Sequence, residues 1–179
     1  MSRAPLRQRK VDLIFLVFFL VNLCFVTYIV DVEQLIIADP TTFAYPLWPP
    51  APLVDLIHSY GRTYDPLLMA RPPFWRMTIW IDVLFFGPFY AFATYAFIRG
   101  RNWIRVPALV WSGTMLANVL IILMEEAYGV VPARNLAFVL AVNAPWLLMP
   151  VAMIWRMARD NPFTARSAQP VPTPPAAVA

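Results

Sequence analysis

Residues 75–98 read WRMTIWIDVLFFGPFYAFATYAFI. Arg76 and Asp82 are the only charged residues in that run. A helix of this length covers the roughly 30 Å hydrocarbon core of a bilayer at about 1.5 Å per residue. The stretch therefore reads as a membrane span with a carboxylic acid set into it. Asp82 lies seven residues in from Trp75. An acid at that depth must be protonated, paired or hydrated, so a span carrying one is expected to turn it toward the interior of a helix bundle.

Three more runs, 11–30, 103–124 and 135–157, are comparably long and apolar. The expected fold is an all-α integral membrane protein, a four-transmembrane-helix bundle over 11–157, with a basic segment at 1–10 and a disordered Pro/Ala-rich tail at 158–179. The first run follows Arg3, Arg7, Arg9 and Lys10, as the apolar part of a signal peptide would. It contains Asp12, however, and ends in Asp31-Val32-Glu33 without a small-residue cleavage motif, so it reads as a span. Composition agrees: the 179 residues are 60% hydrophobic and only 13% charged, with a mean hydropathy of +0.61. Soluble domains carry about a quarter charged residues. A coiled coil and a disordered chain are excluded, the low charge argues against a soluble cytosolic enzyme, and a single cysteine, Cys24, excludes a disulfide-stapled scaffold.

The formal charge of +4 does not point to nucleic acid, because the basic residues sit at the ends of apolar runs. Ten of the 14 fall in the N-terminus, the turn at 99–105 and the C-terminal segment; Arg62, Arg71, Arg76 and Arg134 fall on the other side. By the positive-inside rule both termini are expected in the cytoplasm, as an even number of spans requires. The connection between the first two spans, of roughly 40 residues, is then outer or lumenal. Its aromatic content predicts a folded cap with a short amphipathic helix over Leu53 to Tyr60. The membrane would be the inner membrane of a bacterium or the endoplasmic reticulum of a eukaryote.

The polar residues within the spans are the candidate site. Asp82, Asn118 and Asn143 all fall about 10 to 12 Å below the outer ends of three different helices. Asp31 closes the first span on that side, and Glu125 and Glu126 close the third. Such an acidic outer half attracts a cationic amphiphile or orients a hydroxyl, with Tyr28, Trp80, Phe85, Phe86, Phe89, Tyr90 and Trp146 as candidate walls. Plainer readings stand beside these. Asn118 and Asn143 can be interhelical packing contacts, Asp31 an interfacial anchor, Glu125 and Glu126 rim residues, and His58 a solvated loop histidine. No histidine cluster, P-loop or glycine-rich nucleotide turn is present. No metal or cofactor is expected, and the carboxylates are the remaining acid–base candidates.

The run Asp65-Pro66-Leu67-Leu68, then Pro72-Pro73, Trp75, Asp82, Pro88-Phe89, Ala93-Thr94-Tyr95-Ala96-Phe97 and Trp103-Ile104-Arg105 with Pro107-Ala108 resembles the EXPERA-domain superfamily. The likeness is greatest to its sigma-2 receptor branch; the emopamil-binding sterol Δ8-Δ7 isomerases are another branch. The resemblance implies four helices around a lipid-facing cavity. It implies that Asp31 and Asp82 hold a ligand's ammonium, Asp82 standing where the sigma-2 branch has Glu, and that Asp65 is structural. Asn118 falls at the place of a pocket Thr and Tyr60 near a pocket Tyr. Asn143-Ala144-Pro145-Trp146 is similar to an Asn-Ala-Leu-Trp segment of the isomerases, whose second-span His and Glu are replaced here by Asp82 and Phe86.

The ligand-binding residues expected on these grounds are Asp31, Asp82, Asn118, Asn143, Trp146, Tyr60 and Phe86, for a sterol-like lipid or a cationic amphiphile. A lipid double-bond isomerase using Asp82 and Glu126 is the enzymatic alternative. A helper that stabilises or traffics a membrane partner is the third, and a second copy of the chain is a candidate partner.

Overall fold

The computed structural model describes residues 5–164. After a short 3₁₀ turn at Leu6–Gln8 come six helices: α1 (Lys10–Ile36), α2 (Ala51–Thr63), α3 (Pro66–Ala70), α4 (Pro73–Arg99), α5 (Asn102–Tyr128) and α6 (Leu136–Arg156). Among the described residues there is no strand. Four helices, α1, α4, α5 and α6, are long and apolar enough to cross a membrane. Against the expected bounds, α1 runs on from 30 to Ile36 and α5 from 124 to Tyr128. No helix breaker intervenes before Pro40, so Asp31 lies inside the first helix rather than closing it.

Local chemistry sets the ends. Pro66 and Pro73 begin α3 and α4, where their missing N–H would have had no partner in any case. Gly100, at φ 60°, terminates α4 in the left-handed conformation that glycine adopts without cost. The Asn135 side chain accepts from the Phe138 amide at 3.1 Å and opens α6. Two stretches are π-helical, Asn22–Asp31 in α1 and Asp82–Phe86 in α4. Pro88 cannot donate to the Leu84 carbonyl, and α4 widens in the turn just before it.

At the end of the bundle where both described chain ends lie, the core is aromatic. Phe15 and Phe19 of α1, Phe89 and Phe97 of α4 and Trp111 of α5 are buried together. Phe89 stacks on Trp111 with centroids 5.0 Å apart and planes 11° from parallel. The outward faces stay apolar: Ile14, Val17, Leu84, Val106, Leu120 and Leu148 are all more than half exposed. That pattern suits lipid and not water.

The expected cap is folded. In α2 and α3, Ile57, Leu67 and Leu68 pack on Trp75 and Ile79 of α4. Its anchor is polar and buried. Arg71 donates from Nη2 to both Glu33 oxygens at 2.9 Å, from Nε to the Leu68 carbonyl at 3.0 Å, and from Nη1 to the Ile37 carbonyl. His58 Nε2 lies 2.8 Å from Glu33 Oε1. His58 is thus 1% exposed, not solvated as a lone loop histidine would be, because a carboxylate of α1 meets it inside the cap. Arg71 itself adopts a left-handed backbone (φ 48°) at the end of α3. For a non-glycine residue that costs on the order of 1 kcal/mol, offset here by the side chain's four acceptors.

The segment after α6 corrects the expected tail. The disordered assignment began at 158, but residues 158–164 fold back on the bundle. Phe163 is 1% exposed, its amide donates to Asn102 Oδ1 at 3.1 Å, and its ring lies 5.0 and 4.8 Å from the Arg9 and Arg156 guanidinium carbons. Those paired cation–π contacts and the aromatic edge of Phe97 hold it. The part of that assignment covering 165–179 lies outside the described residues.

Candidate functional site

A cavity of about 400 Å³ opens between the cap and the four long helices. That size suits a drug-sized or lipid-sized guest. Asp31 and Gln34 reach it from α1, Tyr60 from α2, Asp82 from α4, Asn118 from α5, and Asn143 and Trp146 from α6. Asp65, between α2 and α3, lines it as well. Three residues inferred from sequence to share one depth, Asp82, Asn118 and Asn143, therefore face one space. The remaining wall is apolar, including Phe25, Ile57, Leu68, Trp75, Met115 and Val142.

The acids sit on the widened turns: Asp31 ends the π segment of α1 and Asp82 begins that of α4. Wide turns of this kind recur at functional sites. The two carboxyls are buried and within hydrogen-bonding reach of each other. Thr27 Oγ1 donates to Asp82 Oδ1 at 2.5 Å, whereas Asp31 Oδ2 is buried with no partner. Two ionised carboxylates cannot hydrogen-bond one another; a proton, a cation or another donor must stand between them. Gly87 permits the close helix approach: a Cβ there would stand 2.9 Å from Thr27 Cγ2.

On α6 the polar groups are held in place. Trp146 Nε1 donates to Asn22 Oδ1 at 2.8 Å, and the Asn143 amide donates to the Val139 carbonyl at 2.9 Å, leaving its oxygen as an acceptor. Near the cap, burial pushes the Asp65 carboxyl above the usual carboxylate range. Burial, with the neighbouring acids Asp65 and Glu126, pushes the Tyr60 phenol up to about 12.

Several expected residues lie elsewhere. Phe86 is fully buried in the aromatic core, packed toward Trp111, and does not line the cavity. The same holds for Phe89 and Tyr90, while Tyr28, Trp80 and Phe85 face outward. Of the seven aromatic residues expected as walls, only Trp146 serves; Phe25, Tyr60 and Trp75 take the place of the others. Phe86, Phe89 and Tyr90 follow Asp82 by four, seven and eight positions, one face of a regular α-helix, and the widened turn at Asp82–Phe86 takes them out of that phase. Glu126 is not a rim residue: it is 1% exposed, both carboxyl oxygens lack a partner, and it lies within electrostatic reach of Asp65 but off the cavity lining. Glu125 turns back to accept the Val130 and Val131 amides.

The sequence reading missed Thr27, Gln34 and Asn22. Gln34 Oε1 accepts from Trp75 Nε1 at 2.6 Å, which ties α1 to α4 at the cavity wall. Each is an uncharged polar residue in an apolar run, a weaker signal than a carboxylate but of the same kind.

Comparison with known proteins gives the family. Sigma intracellular receptor 2 of Xenopus tropicalis is 29% identical over 143 residues, which cover 74% of this chain and 79% of that protein. The human protein of the same name is 29% identical over 125 residues, covering 62% of this chain and 71% of its own. The family model EBP, described as EXPERA (EXPanded EBP superfamily), matches residues 52–157, more than half of the chain. This multi-pass membrane protein therefore belongs to the EXPERA superfamily.

Proposed function

We propose that the cavity binds a hydrophobic, sterol-like lipid or a cationic amphiphile, with the ligand's cationic or hydroxyl group between Asp31 and Asp82 and its apolar body against Trp75, Met115 and Trp146. The observation that carries this reading is the buried acid pair in a largely apolar cavity, with one Asp31 oxygen left unpartnered. An ammonium there would bond both carboxylates where water does not screen them. Asn118 and Asn143 would orient the ligand and Tyr60 would close the cap end. The names of the relatives, which describe receptors, fit the same reading. In this arrangement the cap lies outside or in the lumen and both termini in the cytoplasm, in a bacterial inner membrane or the endoplasmic reticulum.

Asp31→Asn and Asp82→Asn test it. Each should weaken binding of a cationic amphiphile about tenfold or more, measured by radioligand or fluorescence displacement in detergent. Unchanged affinity in both variants would sink the assignment. Of the acid–base pair expected for an isomerase, Asp82 lines the cavity and Glu126 does not. Incubation with candidate sterols in D₂O decides between binding and turnover, because isomerisation leaves deuterium in the product. Co-purification of a membrane protein after mild solubilisation would instead favour the partner-stabilising role.

A further inference from the structure

A second recess, of about 600 Å³, lies at the opposite end of the bundle, between the start of α1 and the segment that ends α6. Five cations line it: Arg7, Arg9, Lys10, Arg156 and Arg159. Its one acid, Asp12, is already engaged, accepting from Arg9 and from Arg156 Nε at 2.7 Å and Nη2 at 3.1 Å. The recess thus carries five of the 14 basic residues and one of the ten acids, and the remaining nine of each balance. The whole formal excess of +4 on this chain is gathered at one place.

Two of these cations are built in. Arg9 and Arg156 flank the Phe163 ring, and Arg156 Nη1 also donates to the Pro162 carbonyl at 2.8 Å. Arg7, Lys10 and Arg159 are exposed and make no ion pair among the described residues. The recess also has an apolar side. Val11 and Trp155 line it and are 52% and 75% exposed, and beyond them the outer faces of α1 and α6 present Ile14, Val17, Val151 and Ile154. A free anion would use only the cations. A phosphate joined to acyl chains would use both parts, because the spans end here at headgroup depth and their apolar flanks lead into the bilayer.

We propose that this recess is a binding site for the phosphate headgroup of an anionic glycerophospholipid, held by Arg7, Lys10 and Arg159 with its acyl chains along α1 and α6. Arginine's planar fork suits phosphate oxygens, and each basic side chain near a membrane surface is worth about a fivefold change in affinity.

The test uses the full chain in nanodiscs of phosphatidylcholine with or without a minor fraction of phosphatidylglycerol. Native mass spectrometry should find one phosphatidylglycerol retained per protomer, and the melting temperature should rise by about 5 °C when that lipid is present. The variant Arg7→Gln/Lys10→Gln/Arg159→Gln should lose the retained lipid and that rise, with affinity down about a hundredfold. Arg159→Gln alone should lose about fivefold, which keeps the test decisive if the triple variant does not fold in phosphatidylcholine. Arg99→Gln/Arg101→Gln, which removes charge at the same end but off the recess, should keep both effects. Retention of the lipid by the triple variant, or by Arg159→Gln at full strength, overturns the proposal. So does an equal loss in Arg99→Gln/Arg101→Gln, which would mean diffuse charge attraction. An equal melting-temperature rise with soluble glycerol phosphate would mean a free-anion site and also overturns it.

Discussion

Thr27 is one hydroxyl in a run of apolar residues, yet it is the donor that fixes Asp82. Valine has nearly the same shape, so Thr27→Val should leave the helix contact intact while freeing the carboxylate to turn. The expected result is about tenfold weaker binding of a cationic ligand with little change in melting temperature; a large loss of stability with normal affinity would assign Thr27 to packing alone. Asp65 offers a pH test. Burial holds its carboxyl above the value near 3.8 of an unperturbed aspartate, so the folded chain keeps that proton more tightly than the unfolded chain does. The resulting stability is full below the unfolded value and is lost as pH rises through the raised folded value. Melting curves between about pH 4 and pH 7 should therefore show the wild type losing ground to Asp65→Asn as pH increases. Parallel curves for the two proteins would contradict this.

At the scale of elements, the cap depends on a knot that joins α1, α2 and α3 through Glu33, His58 and Arg71. Removing one partner of a buried ion pair leaves an uncompensated charge, at a cost of about 3–5 kcal/mol. Glu33→Gln should accordingly lower the melting temperature and open the connection at 37–72 to protease. Asp55→Ala, which removes only the acceptor of an exposed bond from Tyr45, should do neither. This knot was not legible in the sequence. Its members are up to 38 positions apart, and one acid near the end of α1 with two isolated polar residues in a proline-rich connection carries no periodicity that would bring them together. The spans were legible because about 20 apolar residues in a row have few other uses. Asp82 was legible because a carboxylate in such a run is costly anywhere but inside. The aromatic walls were misread because the widened turns of α1 and α4 alter which side chains share a face, and proximity in sequence to Asp82 says nothing about facing it.

For the whole molecule, the even number of apolar helices and the uneven distribution of arginine make sidedness measurable. In a Cys24→Ser background, Leu47→Cys on the fully exposed cap connection should react with a membrane-impermeant maleimide on intact cells or vesicles of native orientation. Asn161→Cys near the other end should react only after permeabilisation. The reverse pattern would invert the arrangement proposed for the cavity. Among the described residues, the two poles differ in kind: the cap end holds buried acids with unpartnered oxygens, and the other holds a recess of cations around one engaged carboxylate, Asp12.

The bond between Asp12 and Arg156 joins residues 144 positions apart. At about 5–20 residues per second, a ribosome needs on the order of 7–30 seconds to travel that distance. During that interval the first helix must wait with its acid at the membrane boundary and no partner from α6. Arg9, three positions away, is made before Asp12 and serves as its escort. The late arrival of Arg156, followed seven residues later by Phe163, then converts a local pairing into the clasp that closes the finished bundle.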